Sequence, residues 1–253
     1  MSRGRRHSEA CREDTVTFDD QRPAPGIRRA APRALRPLNP DLGAFMKLYS
    51  FPYSSNARKA RMAALLLGID LELVTVDLGK GDQRKPEYLA INPMGRVPVL
   101  DDGGFILWES AAIMAYLADK KPGNTLYPAA AQARADVNRW LFWAANHWGP
   151  ALAALNFENR LKAQYKLGPP DPAQVKRQED SVRTFGSVLD AHLAKRQWVC
   201  GSAITIADLA IAAILMWTGP AKFPVQSFGH VQSWFARVKG LDAWKQTEPP
   251  PVG

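Results

Sequence analysis

The sequence predicts an α/β plus all-α architecture, a βαβ-ββα domain followed by an all-helical domain, on three observations. Met46 to Leu78 reads as strand, helix, strand, the order of a βαβ unit. Asp101-Asp102-Gly103-Gly104 is a strong turn signal between two short apolar runs, so a hairpin follows. From Gln132 onward the period-two pattern disappears and helical periods take over. The expected division is 1–45 as a disordered basic N-terminal extension, 46–122 as the α/β domain, 123–131 as a linker, 132–245 as the all-helical domain and 246–253 as a tail.

Residues 1–45 carry nine Arg against six acids, with Pro interspersed and no sustained apolar period, which predicts disorder. A targeting role is a second reading of this Arg-rich segment, but Glu9, Glu13, Asp14, Asp19 and Asp20 run against a transit peptide. Met46 to Phe51 alternates as a half-buried strand does, Ala57 to Leu67 is an Ala- and Leu-rich helix, and Gly68 is its natural stop. Ile69 to Leu78 predicts the second strand. Lys80 to Ala90 holds a short helix and Ile91 to Arg96 a loop. Val97 to Leu100 and Phe105 to Trp108 form the hairpin, and Ala111 to Lys121 is a helix closed by Pro122-Gly123. Four helices follow, over Ala133 to Phe157, Pro172 to Ala194, Ile206 to Met216 and Gly229 to Leu241. Ahead of the third, Thr205 and Asp208 have capping-box spacing, with Ile204 and Leu209 placed as a hydrophobic staple.

Composition narrows the function. The net charge is +9, of which +3 belongs to residues 1–45, and the remainder is interleaved without a basic stripe, so nucleic acid is not an expected partner. Leu209 to Trp217, the longest apolar run, is far short of the ~20 residues that span a bilayer. Cys11 and Cys200 have no CxxC spacing, and His7, His147, His192 and His230 have no ligand spacing, so no metal is expected and a reducing, cytoplasmic setting is.

The chemistry collects where the first strand gives way to the first helix, because open sheets bind ligands at the carboxyl ends of their strands. Ser54, Ser55 and Asn56 read as helix-capping and turn residues. Arg58, Lys59 and Arg61 then place cations in the first turns, where the helix dipole disfavours them unless an anion binds there. Val97-Pro98 opens a strand after a Gly-containing loop, and a trans bond is favoured there on residues alone. Glu109-Ser110 puts a carboxylate beside a hydroxyl at another helix start, able to hold an ammonium and a carboxylate of one ligand.

Together, Ser54-x-Asn56-x-Arg58, Asn92-Pro93-x-Gly95-Arg96-Val97-Pro98-Val99-Leu100, Glu109-Ser110-x-x-Ile113 and Thr205-Ile206-Ala207-Asp208-Leu209 resemble the cytosolic glutathione transferase superfamily, from Met46 to about Trp244. The resemblance implies a thioredoxin-like first domain, a homodimer, and glutathione as co-substrate. It implies that Ser54 hydrogen-bonds the glutathione sulfur, as in serine-type members, and that Asn56 resembles the asparagine of the bacterial Nu-like group. It further implies a cis Pro98, Val97 pairing with the cysteinyl backbone, Glu109 and Ser110 on the γ-glutamyl end, and Gln83 and Arg96 toward the glycyl carboxylate. Tyr53 is the alternative to Ser54. The arithmetic suits such a site: a thiol of pKa ~8.5 is only ~3% thiolate at pH 7, and lowering it by two units takes about 2.7 kcal/mol. One charge-assisted hydrogen bond of roughly 1.5–3 kcal/mol and a helix N-terminus supply that.

The second substrate, expected to be a small hydrophobic electrophile, is placed between this corner and the helical domain, with Trp143, His147 and Tyr165 as candidate lining. Conjugation is the leading activity. A glutathione-dependent disulfide reductase or peroxidase, suggested by Asn56, and a non-catalytic binding protein of the same fold are the alternatives.

Overall fold

The computed structural model describes residues 46–250, so the expected extension over 1–45 and the last three residues of the expected tail lie outside the described residues. Strand β1 (Met46–Ser50) leads into α1 (Ser55–Leu67), which returns to β2 (Leu71–Thr75). A short turn of helix over Asp82–Arg84 and α2 (Pro86–Leu89) precede the hairpin β3 (Val99–Asp102) and β4 (Phe105–Trp108), and α3 (Ser110–Asp119) completes the domain. The sheet order is β2-β1-β3-β4, with β1 parallel to β2 and antiparallel to β3. Period two is visible in the packing. Leu48 and Leu100 pair across β1 and β3 and point into the core shared with Ile113 and Leu117 of α3. Their neighbours Tyr49 and Val99 pair on the other face, against Tyr88 of α2.

Gly68 ends α1 in the left-handed conformation (φ 62°), where a Cβ is disfavoured. β2 is shorter than the expected Ile69 to Leu78. At its end Asp77, whose side chain accepts the N–H groups of Gly79 (2.9 Å) and Lys80 (3.2 Å), turns the chain through Leu78.

The helical domain opens with α4 (Ala131–Trp143) and continues through α5 (Gly149–Asn156) to α6 (Lys162–Gln164), with π turns at Ala144–Trp148 and Phe157–Leu161. One helix over Ala133 to Phe157 was expected here; the structure has a longer rod with two register slips. The first slip has a local cause. Gly149 donates to Ala144 five residues back, Pro150 has no N–H with which to restore the usual ladder, and a methyl group at Gly149 would lie 2.7 Å from the Ala144 carbonyl oxygen. Helices α7 (Pro172–Leu193), α8 (Ile206–Ala212, continued as 3-10 to Trp217), α9 (Gly229–Gly240) and α10 (Asp242–Gln246) complete the bundle. α10 falls where only a domain end was expected.

Gly186 of α7 meets the Phe228 ring so closely that a methyl group there would sit 2.3 Å from it. Gly186→Ala should therefore cost about 1–3 kcal/mol by overpacking, read as a lowered denaturant midpoint at unchanged slope. An unchanged midpoint would mean that the ring swings aside freely.

Two buried polar groups fasten the structure. Asp208, fully buried in α8, accepts from the N–H of Thr205 (2.8 Å) and its hydroxyl (3.1 Å), from Val199 N–H (2.8 Å) and from the Trp234 indole (2.9 Å). Burial raises its carboxyl above the ordinary range, and these donors oppose that rise only in part. Arg58 of α1, 1% exposed, donates to the Trp244 carbonyl oxygen (2.7 Å) and to Thr247 Oγ1 (3.1 Å), with its guanidinium 3.6 Å from the Trp244 ring centroid. Burial pushes its pKa down to about 10, against the pull of Glu248. Arg58 thus binds the end of the helical domain and is not available to an anion at the corner.

Candidate functional site

Ser54 is the N-cap of α1, in extended conformation at φ −86°, ψ 115°. Its Oγ accepts the Ala57 N–H at 3.2 Å. A hydroxyl accepts through its lone pairs and still has a proton to donate, so the cap leaves Ser54 able to hydrogen-bond a second group. That group has room. Ser54 and Ser55 line a cavity of about 270 Å³ walled by Phe51, Tyr53 and Leu78 on one side and by Asn156, Arg160, Leu161, Gln164, Tyr165 and Trp217 on the other. A second hollow of about 520 Å³ shares Leu78 and Tyr165 with it and runs past Lys80, Gln83 and Arg84.

Asn56 does not line this cavity. It is exposed, and its side-chain oxygen accepts from Lys59 Nζ at 2.9 Å. Lys59 is half-buried; desolvation lowers its pKa to about 8, with Glu109 acting the other way.

The Val97-Pro98 bond is cis. Ahead of it the loop is held by the Arg96 carbonyl, which accepts from Tyr88 Oη (2.8 Å) and Asn92 Nδ2 (2.7 Å), while the Arg96 side chain reaches the exterior. Val97 and Pro98 are buried. Gln83 Nε2 donates to the Leu78 carbonyl at 3.4 Å, and Gln83 Oε1 is buried without a partner among the described residues. Glu109 has φ 74° and ψ 112°, a backbone that costs a non-glycine residue of order 1–3 kcal/mol, immediately ahead of the buried Ser110 that opens α3.

Of the three side chains expected on the second-substrate side, the structure brings only Tyr165 to the cavity. Trp143 stacks on Trp148 (5.8 Å between centroids) and His147 packs on Phe185 of α7 (5.3 Å), so both face along the bundle. The residues that do face the corner from this rod are Asn156, Arg160 and Gln164. Their spacing of four in a Leu-rich helix is a polar stripe that a reading of period, rather than of aromatics, would have picked out. The loop bearing Tyr165 is fastened by Glu158, whose buried carboxylate accepts from Lys162 Nζ (2.6 Å) and the Asp171 N–H (2.7 Å); the Lys162 hydrogen bond leads in holding it below its usual range.

Cys200 is not a candidate nucleophile. Burial pushes its thiol up to about 12, so at neutral pH almost none of it is thiolate. Among the described residues no group of His, Cys, Asp and Glu side chains could hold a metal ion, and no helix is long and apolar enough to cross a membrane.

The glutathione S-transferase N-terminal domain family matches residues 48–125 and the glutathione S-transferase C-terminal domain family matches residues 157–242. The chain is 34% identical over 200 residues to glutathione S-transferase F10 of Arabidopsis thaliana, across 77% of this chain and 93% of that protein. Among solved structures it is similar to a delta-class glutathione transferase of Nilaparvata lugens, with 32% identity and a TM-score of 0.70 over 80% of this chain and 92% of the other. A glutathione transferase family member from Pseudomonas fluorescens, solved with two glutathione molecules bound, matches at 27% identity and a TM-score of 0.75 over 82% and 93% of the two chains.

Proposed function

The chain belongs to the glutathione S-transferase family, and we propose that it activates glutathione as a thiolate at Ser54 for addition to an electrophile held between the two domains. One observation carries the reading: a hydroxyl whose lone pair caps α1, whose proton is uncommitted, and which opens on a cavity walled by aromatic side chains. In the reaction with an aryl chloride, the thiol proton leaves to solvent and the sulfur attacks the ring carbon that bears chlorine. A C–S bond forms, and chloride departs with the electrons of the C–Cl bond. The chain's own part is to favour the thiolate, orient it and exclude water around it.

The rest of the peptide is proposed to lie along the sheet edge. Val97 would pair with its backbone beside Pro98, Glu109 and Ser110 would take the γ-glutamyl ammonium and carboxylate, and Gln83 and Arg96 would face the glycyl carboxylate. The strained Glu109 backbone supports its assignment, since it has a cost that a ligand contact offsets. Asn56, engaged by Lys59 outside the cavity, is not assigned to the sulfur, and no observation favours the disulfide-reductase alternative that it suggested. A homodimer in the cytoplasm belongs to the same reading. Phe105, Trp108 and Phe142 offer exposed apolar surface for the dimer, and sedimentation of the purified chain tests it.

The direct test is calorimetric binding of glutathione to the full chain, followed by turnover of an aryl chloride. Saturable binding and turnover are expected. Absence of both would remove the transferase reading.

A further inference from the structure

Among the described residues, Arg160 is the one cation that walls the cavity beside Ser54. Its guanidinium lies flat on Trp217, 3.8 Å from the ring centroid. Nε donates to Asn156 Oδ1 at 2.8 Å, and one terminal nitrogen donates to Gln164 Oε1 at 2.8 Å. Both partners are neutral amides: they aim the guanidinium without neutralising it. Among the described residues no Asp or Glu lines the cavity, and none forms an ion pair with Arg160. Of the five N–H donors of a guanidinium, two are used in this way, and the second terminal nitrogen has no partner among the described residues. Burial lowers its pKa, as expected for a cation that lacks a counter-charge.

A half-buried cation that is stacked, aimed and left without a counter-ion has a desolvation cost that a bound anion offsets. The planar fork suits a carboxylate, which it can grip with two parallel hydrogen bonds. The walls next to it, Phe51, Tyr53, Leu161, Tyr165 and Trp217, suit a flat apolar body.

We propose that Arg160 is the specificity-determining residue of the second-substrate pocket and that this pocket selects an aromatic electrophile bearing a carboxylate. This rests on the reading of the cavity as the second-substrate pocket. It refines the expectation of a purely hydrophobic electrophile: the body is apolar and the far end is charged.

The test uses two prepared glutathione conjugates, one from a chlorodinitrobenzoate and one from the matching chlorodinitrobenzamide, which have the same shape and differ in charge. Their dissociation constants are measured calorimetrically on the full chain and on Arg160→Gln and Arg160→Lys, beside that of glutathione itself. The wild-type chain is expected to bind the carboxylate conjugate about tenfold or more tightly than the amide, the factor of one charge-assisted hydrogen bond. Arg160→Gln should bring that ratio close to one, and Arg160→Lys should leave it between the two. A local packing defect would weaken both conjugates and leave the ratio alone.

A wild-type ratio near one, or a ratio that Arg160→Gln does not change, overturns the proposal. So does an equal loss for glutathione and both conjugates, which would place Arg160 on the glutathione half. Turnover of the chlorodinitrobenzamide is read separately: its absence counts against the transferase reading, while the binding ratio still decides the role of Arg160.

Discussion

Ser54→Ala should lower kcat/KM for glutathione with an aryl chloride at pH 7 by about ten- to a hundredfold, the kinetic equivalent of one charge-assisted hydrogen bond. The mechanism fixes the shape of the loss. If the hydroxyl proton stabilises the sulfur anion, its removal raises the thiol pKa in the complex by about one to two units. The defect is then greatest at low pH and shrinks as the pH rises past the raised value. The pH profile of kcat/KM for the aryl chloride at saturating glutathione and the ultraviolet absorbance of bound thiolate both read this shift.

Because Ser54 also caps α1, the alanine variant is expected to lose ~1 kcal/mol of stability as well. Ser54→Gly separates the two roles, since glycine caps within a few tenths of a kcal/mol of serine yet has no hydroxyl. It should be about as stable as the native chain and as slow as the alanine variant. Asn56→Ala, at an exposed position outside the cavity, should change kcat/KM by no more than about twofold. An active Ser54→Ala beside an inactive Asn56→Ala would reverse the assignment.

The second large effect is structural. Asp208→Ala is expected to cost about 3–5 kcal/mol, because it removes the acceptor for four buried donor groups: the Thr205 N–H and hydroxyl, the Val199 N–H and the Trp234 indole. Each orphaned donor costs ~1–3 kcal/mol, and partial relaxation keeps the sum below the total. Denaturant unfolding measures it. Asp208→Asn, which retains one acceptor oxygen, should lie between the two. Asp208 does not line the cavity, so kcat per folded molecule should survive in the alanine variant. A loss below about 1 kcal/mol would mean that water or a neighbour replaces the carboxylate.

How far the sequence discloses this molecule depends on the range of each interaction. Gly68, the Gly103-Gly104 turn and the Thr205–Asp208 pair act within a few residues, and each stands in the structure where its local pattern puts it. Ser54 as an N-cap is legible for the same reason. β2 ends early at the Asp77 turn, also a local effect, but one that a run of apolar residues masks. The π turns are harder to foresee. Each inserts a residue into the helical count, and choosing wall residues by their aromatic character selects Trp143 and His147, which pack along the bundle, and passes over Arg160. Arg58 is illegible from its neighbourhood altogether. In sequence it is one of three cations at a helix start, and what neutralises its cost lies in another helix.

That same arginine has a consequence for how disturbances travel through the molecule. Arg58 stands one helical turn beyond Ser54, and its partner Thr247 is 189 positions away along the chain. The carboxyl-terminal helix and the corner at Ser54 are therefore joined through the Arg58 side chain, and a fusion at the carboxyl end bears on the segment that holds it. Proximity along the polypeptide is a poor guide to which parts of this enzyme can be handled without changing its chemistry.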